Sequence, residues 1–194
     1  MLAYLVVEAG RPHRRETLAG LLWPDWPDRE ARSNLRYTLS DLRRAIGDRE
    51  AEPPFLHIIR DTLQFNVASG HWLDVSEFAT LIGLGERPTL QRAVALYQGR
   101  FLEGFSVADA AFFEEWAVLK REQLGRQMMV ALHRLAAAHE ALGEYDPAAA
   151  YARRQVEMEP WNEEAHQHLM RLLTLRGQRS AALAQYETCR RLLA

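Results

Sequence analysis

The 194-residue sequence predicts a mainly α protein in two parts, three short helices with a β-hairpin followed by an all-helical repeat region. Three observations carry this expectation. In "ARSNLRYTLSDLRRAIG", residues 31–47, the apolar residues Ala31, Leu35, Leu39, Leu42 and Ile46 recur at steps of four, four, three and four, one buried helix face. In "FLHIIRDTLQFNV", residues 55–67, two runs rich in β-branched and aromatic residues flank Arg60, Asp61 and Thr62, the pattern of a hairpin with its tip there. Aligned with itself at a shift of 34 residues, the chain pairs Leu135 with Leu169, Gly143 with Gly177 and Ala148 with Ala182.

Taken in order, "MLAYLVVEAG" is apolar on nearly all sides and is expected to be a helix stopped by Gly10. "RRETLAGLLW" follows, with Leu18, Leu21 and Leu22 on one side. "PDWPD" then breaks the chain with two prolines, and Asp28 is expected to cap the third helix, which Gly47 ends. No strand is expected before the first helix, so the hairpin at 55–67 is expected to lack a sheet to pair with. "ASGHW" marks a boundary, giving expected domains 1–70 and 71–194, and Asp74 with Glu77 resembles a capping box. "DVSEFATLIGLG" and "TLQRAVALYQG" are expected to pair as antiparallel helices, with a long helix from about Asp109 to Leu142 after them. A 34-residue period of helix, Gly turn and helix is the tetratricopeptide pattern. Gly143 and Gly177 supply the turns, Ala148 and Ala182 allow close approach, and Asp146 and Pro147 suit cap and first-turn positions.

Composition bounds the function. Hydrophobic residues at 48% and charged residues at 26% belong to a folded globular chain, and the formal net charge of −2 excludes a polybasic coat without excluding a local patch. Lys120 is the single lysine, so arginine carries nearly all positive charge. A lone cysteine, Cys189, permits no internal disulfide and reads as a small buried hydrophobe. No apolar run approaches the roughly 18 residues that span a membrane, and "MLAYLVV" lacks the basic lead of a secretory signal. A cytoplasmic protein is expected. The chain starts inside an apolar segment and stops inside a helical one, which suggests a piece of something longer.

Catalysis finds little support. "HEALG" lacks the second histidine of a zinc-protease motif, and His166 and His168 are two residues apart on a helix, pointing in different directions. Neither a phosphate-binding Gly loop nor a Gly-x-Ser-x-Gly elbow occurs, so no enzyme activity, metal or cofactor is expected. Of the five tryptophans, Trp26 stands out on its stiff acidic loop, either folded back onto the core or presented to a partner.

A helix, a broken turn, a second helix with Arg and Asn in its first half and then a β-hairpin is the order of a winged helix-turn-helix. Major-groove reading needs side chains near the start of the recognition helix. Asn34 can pair with adenine and Arg36 with guanine, Ser33 can bond a base or phosphate, and Tyr37 can touch a thymine methyl or a sugar edge. Arg43 and Arg44, with Arg14 and Arg15 at the preceding helix, suit phosphates, and Arg60 at the hairpin tip suits the minor groove or backbone. Asp41 fits this face least well, although it can pair with Arg44.

The stretches "GRPHRRETLAGLLWPD", "ARSNLRYTLSDLRRAIG" and "RDTLQFN…HWLDVSEF" resemble the OmpR/PhoB-type winged helix joined to a bacterial transcriptional activator domain, as in SARP-type regulators. The resemblance implies a DNA-binding activator acting at promoter sites that recruits RNA polymerase, with "WPDWPD" turned towards the polymerase. By position it also implies DNA contacts from Ser33, Asn34, Arg36, Tyr37, Ser40 and Arg43. Such regulators carry a small sheet before the first helix, so this chain reads as an N-terminally truncated member. The helical-repeat part is expected to serve protein interaction or a homodimer. The competing expectation is an interaction scaffold whose winged helix no longer binds DNA.

Overall fold

A computed structural model describes residues 1–193. The elements are α1 (Leu2–Val7), β1 (His13–Arg14), α2 (Arg15–Leu22), α3 (Asp28–Ala45), β2 (Leu56–Ile58) and β3 (Thr62–Phe65). They continue with α4 (Asp74–Leu84), α5 (Arg87–Leu96), α6 (Ala111–Ala141), α7 (Tyr145–Met158), α8 (Glu163–Leu175) and α9 (Arg179–Leu193). The chain forms two compact units, and neither is one continuous segment. The first takes residues 1–76 and 101–121, the second 77–100 and 122 onwards. A linear cut at 70–71 misses this because Ala110 and Phe113 return to the core of the first unit.

That unit is a winged helix-turn-helix. Leu18 and Leu22 of α2 meet Ala31, Leu35 and Leu39 of α3, and the hairpin adds Leu56, Leu63 and Phe65 to the same core. The hairpin does not stand alone: the sheet has three strands in the order β1-β3-β2, with His13 opposite Leu63 and Arg14 opposite Thr62. Two residues are too few to show any periodicity, which is why the sequence hides β1. Tertiary contacts define it instead. His13 is buried, its imidazole Nε2 lies 2.9 Å from the Glu8 carbonyl, and its ring sits edge-on to Tyr4.

Two helix ends differ from expectation. α1 stops at Val7 rather than at Gly10, because Glu8 turns to serve α6. Its Oε1 accepts from Lys120 Nζ at 2.9 Å and from Trp116 Nε1 at 3.1 Å. Asp28 is not the cap of α3. Pro27 holds that position and Asp28, already helical, pairs with Arg32 at 3.3 Å, an acid placed well against the helix dipole.

In the second unit α4 and α5 are joined through Gly85, and Arg92 of α5 donates to Glu77 of α4 at 3.1 Å. At the start of α4 the Asp74 carboxylate accepts from the Val75 N–H at 2.8 Å. The C-terminal carbonyls of α5 are satisfied by α7, whose Arg154 donates to Val94 O at 3.1 Å and to Tyr97 O at 2.6 Å.

The 34-residue repeat appears as two helix pairs, the end of α6 with α7 and then α8 with α9. The two turns are the same. Gly143 and Gly177 both have φ of 73°, a left-handed conformation that a side chain would oppose. In each, the glycine N–H and the next N–H return to carbonyls of the preceding helix: Gly143 to Glu140, Glu144 to His139, Gly177 to Thr174 and Gln178 to Leu173. α7 packs on α8 through Ala148, Ala149 and Ala152 against Leu169, Leu172 and Leu173. The cap of α7 is Glu144, so Asp146 is free of that duty and pairs with Arg176 at 2.5 Å. Among the described residues no helix is long and apolar enough to cross a membrane.

Ala148 has no exposed surface, so Ala148→Phe must overpack the α7–α8 contact and cost about 1–3 kcal/mol, read as a lower urea midpoint. An unchanged midpoint would refute the close helix approach. Burial raises the Glu8 pKa, but the hydrogen bonds from Lys120 and Trp116 and the charges of Lys120 and Arg11 outweigh it, holding the carboxyl below its usual range. A depressed carboxyl stabilises the fold above its unfolded pKa, and that contribution fades as pH falls through the folded value. Glu8→Gln is therefore expected to cost about 1 kcal/mol at neutral pH. Thermal melts of both proteins should converge below the ordinary carboxylate range.

Candidate nucleic-acid interface

α3 buries one side and displays the other. Ala31, Leu35 and Leu39 are in the core, and Leu42 and Ile46 pack at its edge. The opposite side exposes Arg32, Arg36, Tyr37, Ser40, Asp41 and Arg44, with Ser33 and Asn34 half-buried at its margin. Tyr37 is 71% exposed, a large aromatic held away from any core. The polar groups of this face are unevenly engaged. Among the described residues Arg36 donates only a long 3.4 Å contact to Ser33 Oγ, and its side chain is exposed. Arg32 is drawn back by Glu16 in the first turn of α2 and by Asp28 in the first turn of α3. Arg44 is paired with Asp41 at 2.8 Å, an exposed contact one turn apart that an incoming phosphate can exchange.

Arg43 has a different environment. Its Nε donates at 2.7 Å to Asp48 Oδ2, and the other oxygen of Asp48 accepts the Leu56 N–H at 2.8 Å. The Asp48 side chain is fully buried while that of Arg43 is 31% exposed. Asp48 thus ties the last turn of α3 to the first residue of β2. The helix end delivers it there: Gly47 and Asp48 donate to Arg44 O and Arg43 O, closing α3 and turning the chain inwards.

The wing is fixed from its other side by α2. Arg15 N donates to Asp61 O at 2.9 Å, and its guanidinium reaches Ile59 O at 3.4 Å. Arg14, exposed on β1, lies opposite Thr62, and Arg60 is exposed in the tip between Ile59 and Asp61. The structure thus gathers Arg14, Arg15 and Arg60 at one end of the sheet, Arg15 through its backbone and guanidinium. Trp26 is 44% exposed on the turn before α3, among the exposed Asp25, Pro27 and Asp28.

Sequence reasoning missed Asp48. Its only signal is an acid directly after the glycine that closes a helix, which usually reads as a polar turn. The histidines are occupied structurally: His168 meets Glu140 at 3.1 Å, His139 meets Glu144 at 2.5 Å, and His166 lies between Pro160 O and Gln185. No group of three metal-type ligands occurs among the described residues.

Compared with known proteins, the chain matches the model of the bacterial transcriptional activator domain over residues 85–194, more than half its length. The match begins beyond the winged helix, so the α3 face rests on its own geometry. A search of curated proteins found no match.

Removing the Asp48 carboxylate strands the Arg43 Nε and a buried backbone N–H together. Asp48→Ala is expected to destabilise the first unit by about 3 kcal/mol in urea unfolding. A loss within about 0.5 kcal/mol would show that the pair does not hold helix and wing together.

Proposed function

The chain belongs to the bacterial transcriptional activator domain family, and on that premise we propose that it is a DNA-binding regulator that reads the major groove with α3. One observation carries the reading: a helix whose inner side is locked in the core presents Asn34, Arg36, Tyr37 and Ser40 beside Arg44, next to Arg14 on β1 and Arg60 at the wing tip. Core packing leaves these side chains unused, and their chemistry suits base edges and phosphates. Arg36 takes guanine, Asn34 adenine, and Tyr37 a thymine methyl or sugar. Ser33, Ser40, Arg14, Arg15, Arg44 and the outer edge of Arg43 contact the backbone, and Arg60 enters the minor groove. Asp41 holds Arg44 until phosphate displaces it. The helical-repeat unit serves protein interaction or dimerisation, and the acidic turn bearing Trp26 faces RNA polymerase. The site of action is the cytoplasm, at promoter DNA.

A gel-shift titration against the protein's own upstream region, at two salt concentrations, tests this. Specific binding with a steep salt slope is expected, because neutralised phosphates release counterions. Arg36→Ala should cost about 1–3 kcal/mol and relax preference at one base pair, whereas Arg44→Ala should weaken all sequences alike and lower the salt slope by about one. Asp41→Asn should tighten binding to every sequence. Equal, weak binding to all sequences that ignores Arg36→Ala would reject DNA reading in favour of an interaction scaffold.

A further inference from the structure

The tip of the wing cancels its own charge. Ile59 N–H donates to Thr62 O at 3.0 Å, so Arg60 and Asp61 alone form the turn of the hairpin. Both are exposed, and their formal charges sum to zero. Counterion release rewards net positive charge, so such a turn gains little from phosphates. Contact between this tip and DNA therefore needs an uncharged contribution. Strand alternation supplies one. Leu56 and Ile58 of β2, with Leu63 and Phe65 of β3, face the core. His57 lies on the opposite, exposed side, and Ile59 follows it there. Ile59 is 65% exposed and takes no part in the core of the first unit. Its backbone is engaged at both groups, the N–H by Thr62 and the carbonyl by the long 3.4 Å contact from the Arg15 guanidinium. Arg14 pairs with Thr62 from β1, so one row across the sheet runs Arg14, Thr62, Ile59.

We propose that Ile59 packs against a deoxyribose in the wall of the minor groove that Arg60 enters. This rests on the reading of α3 and the wing as the DNA face, and it adds a contact that carries no charge. Sugar rings line the groove walls, and their C–H edges offer apolar surface between the phosphates. An aliphatic side chain beside a cation is a combination suited to that groove, the cation for its floor and the aliphatic group for its wall. Sugar contacts carry no sequence information directly, so Ile59 seats the wing rather than selecting a base. Threonine would suit the same strand position equally well, which leaves the aliphatic character of Ile59 unexplained by the hairpin itself. Continuity with the α3 face, and the exposed Arg14 and Arg60 nearby, favour DNA over a protein as the occupant.

The test uses the full chain and a duplex from the protein's own upstream region that the parent protein shifts specifically. Ile59→Thr, with a thermal melt matching the parent, should weaken binding about fivefold and leave the salt slope unchanged, because no phosphate contact is lost. Ile59→Gln serves the same purpose if the threonine variant melts early. Ile59→Val should stay within about twofold of the parent. Arg60→Ala should instead lower the salt slope by about one. Ribonucleotides placed singly along each strand then add a 2′-hydroxyl to one sugar at a time. One or two adjacent replacements should weaken the parent about fivefold and leave Ile59→Thr indifferent, whereas a change of DNA shape alone would affect both proteins alike. A specific complex that Ile59→Thr leaves unchanged overturns this inference and leaves the α3 reading intact. A ribonucleotide effect of the same size in both proteins does likewise. The absence of any sequence-specific complex overturns both.

Discussion

A carboxylate without exposed surface is costly unless its oxygens are met by donors, and Asp48 satisfies that requirement with two groups from different elements. Arg43 Nε comes from the last turn of α3 and the Leu56 N–H from the start of β2. Apolar packing alone would allow helix and hairpin to slide, because the hydrophobic effect has little direction. Two short hydrogen bonds to one buried carboxylate do not. The wing tip is also tied from the side of α2, where the Arg15 N–H donates to Asp61 O at 2.9 Å and its guanidinium makes a long contact to Ile59 O. The exposed side of α3 and the tip of the hairpin are therefore displayed by a rigid frame, the condition for reading a surface of fixed shape.

This frame also sorts the arginines. Side chains of the same type on one helix have different duties: Arg32 is pulled to acids at the helix start, Arg43 to Asp48, Arg44 to Asp41, and Arg36 has only a long contact to Ser33. Proximity to a carboxylate, and whether that carboxylate is buried, separates an arginine that builds the fold from one that remains available.

The second unit obeys another logic. Its geometry is repeated rather than clamped, with left-handed glycines closing two helices in the same way and alanines letting the next helix approach. Repetition makes departures informative. Where α9 carries Leu183 and Tyr186 at the positions of the buried Ala149 and Ala152 of α7, the two repeats differ in side-chain size at the same register.

Much of this was legible in the linear sequence. The four-residue spacing of Ala31, Leu35 and Leu39 located the buried side of α3, and hence its polar side, because helix periodicity is local. The 34-residue period located the repeat because identical turns and close contacts need the same residues at each recurrence. Three matters depended on the tertiary structure. β1 is too short to have a pattern and exists because β3 offers it a partner. The first unit recovers residues 101–121 because Ala110 and Phe113 find their apolar neighbours far back in the chain. The division of the arginines rests on carboxylates such as Asp48, whose burial no local pattern announces. Residue spacing determined which faces this protein has; long-range contact decided which charges on those faces are already engaged, since an ion pair depends on distance in space and not in sequence.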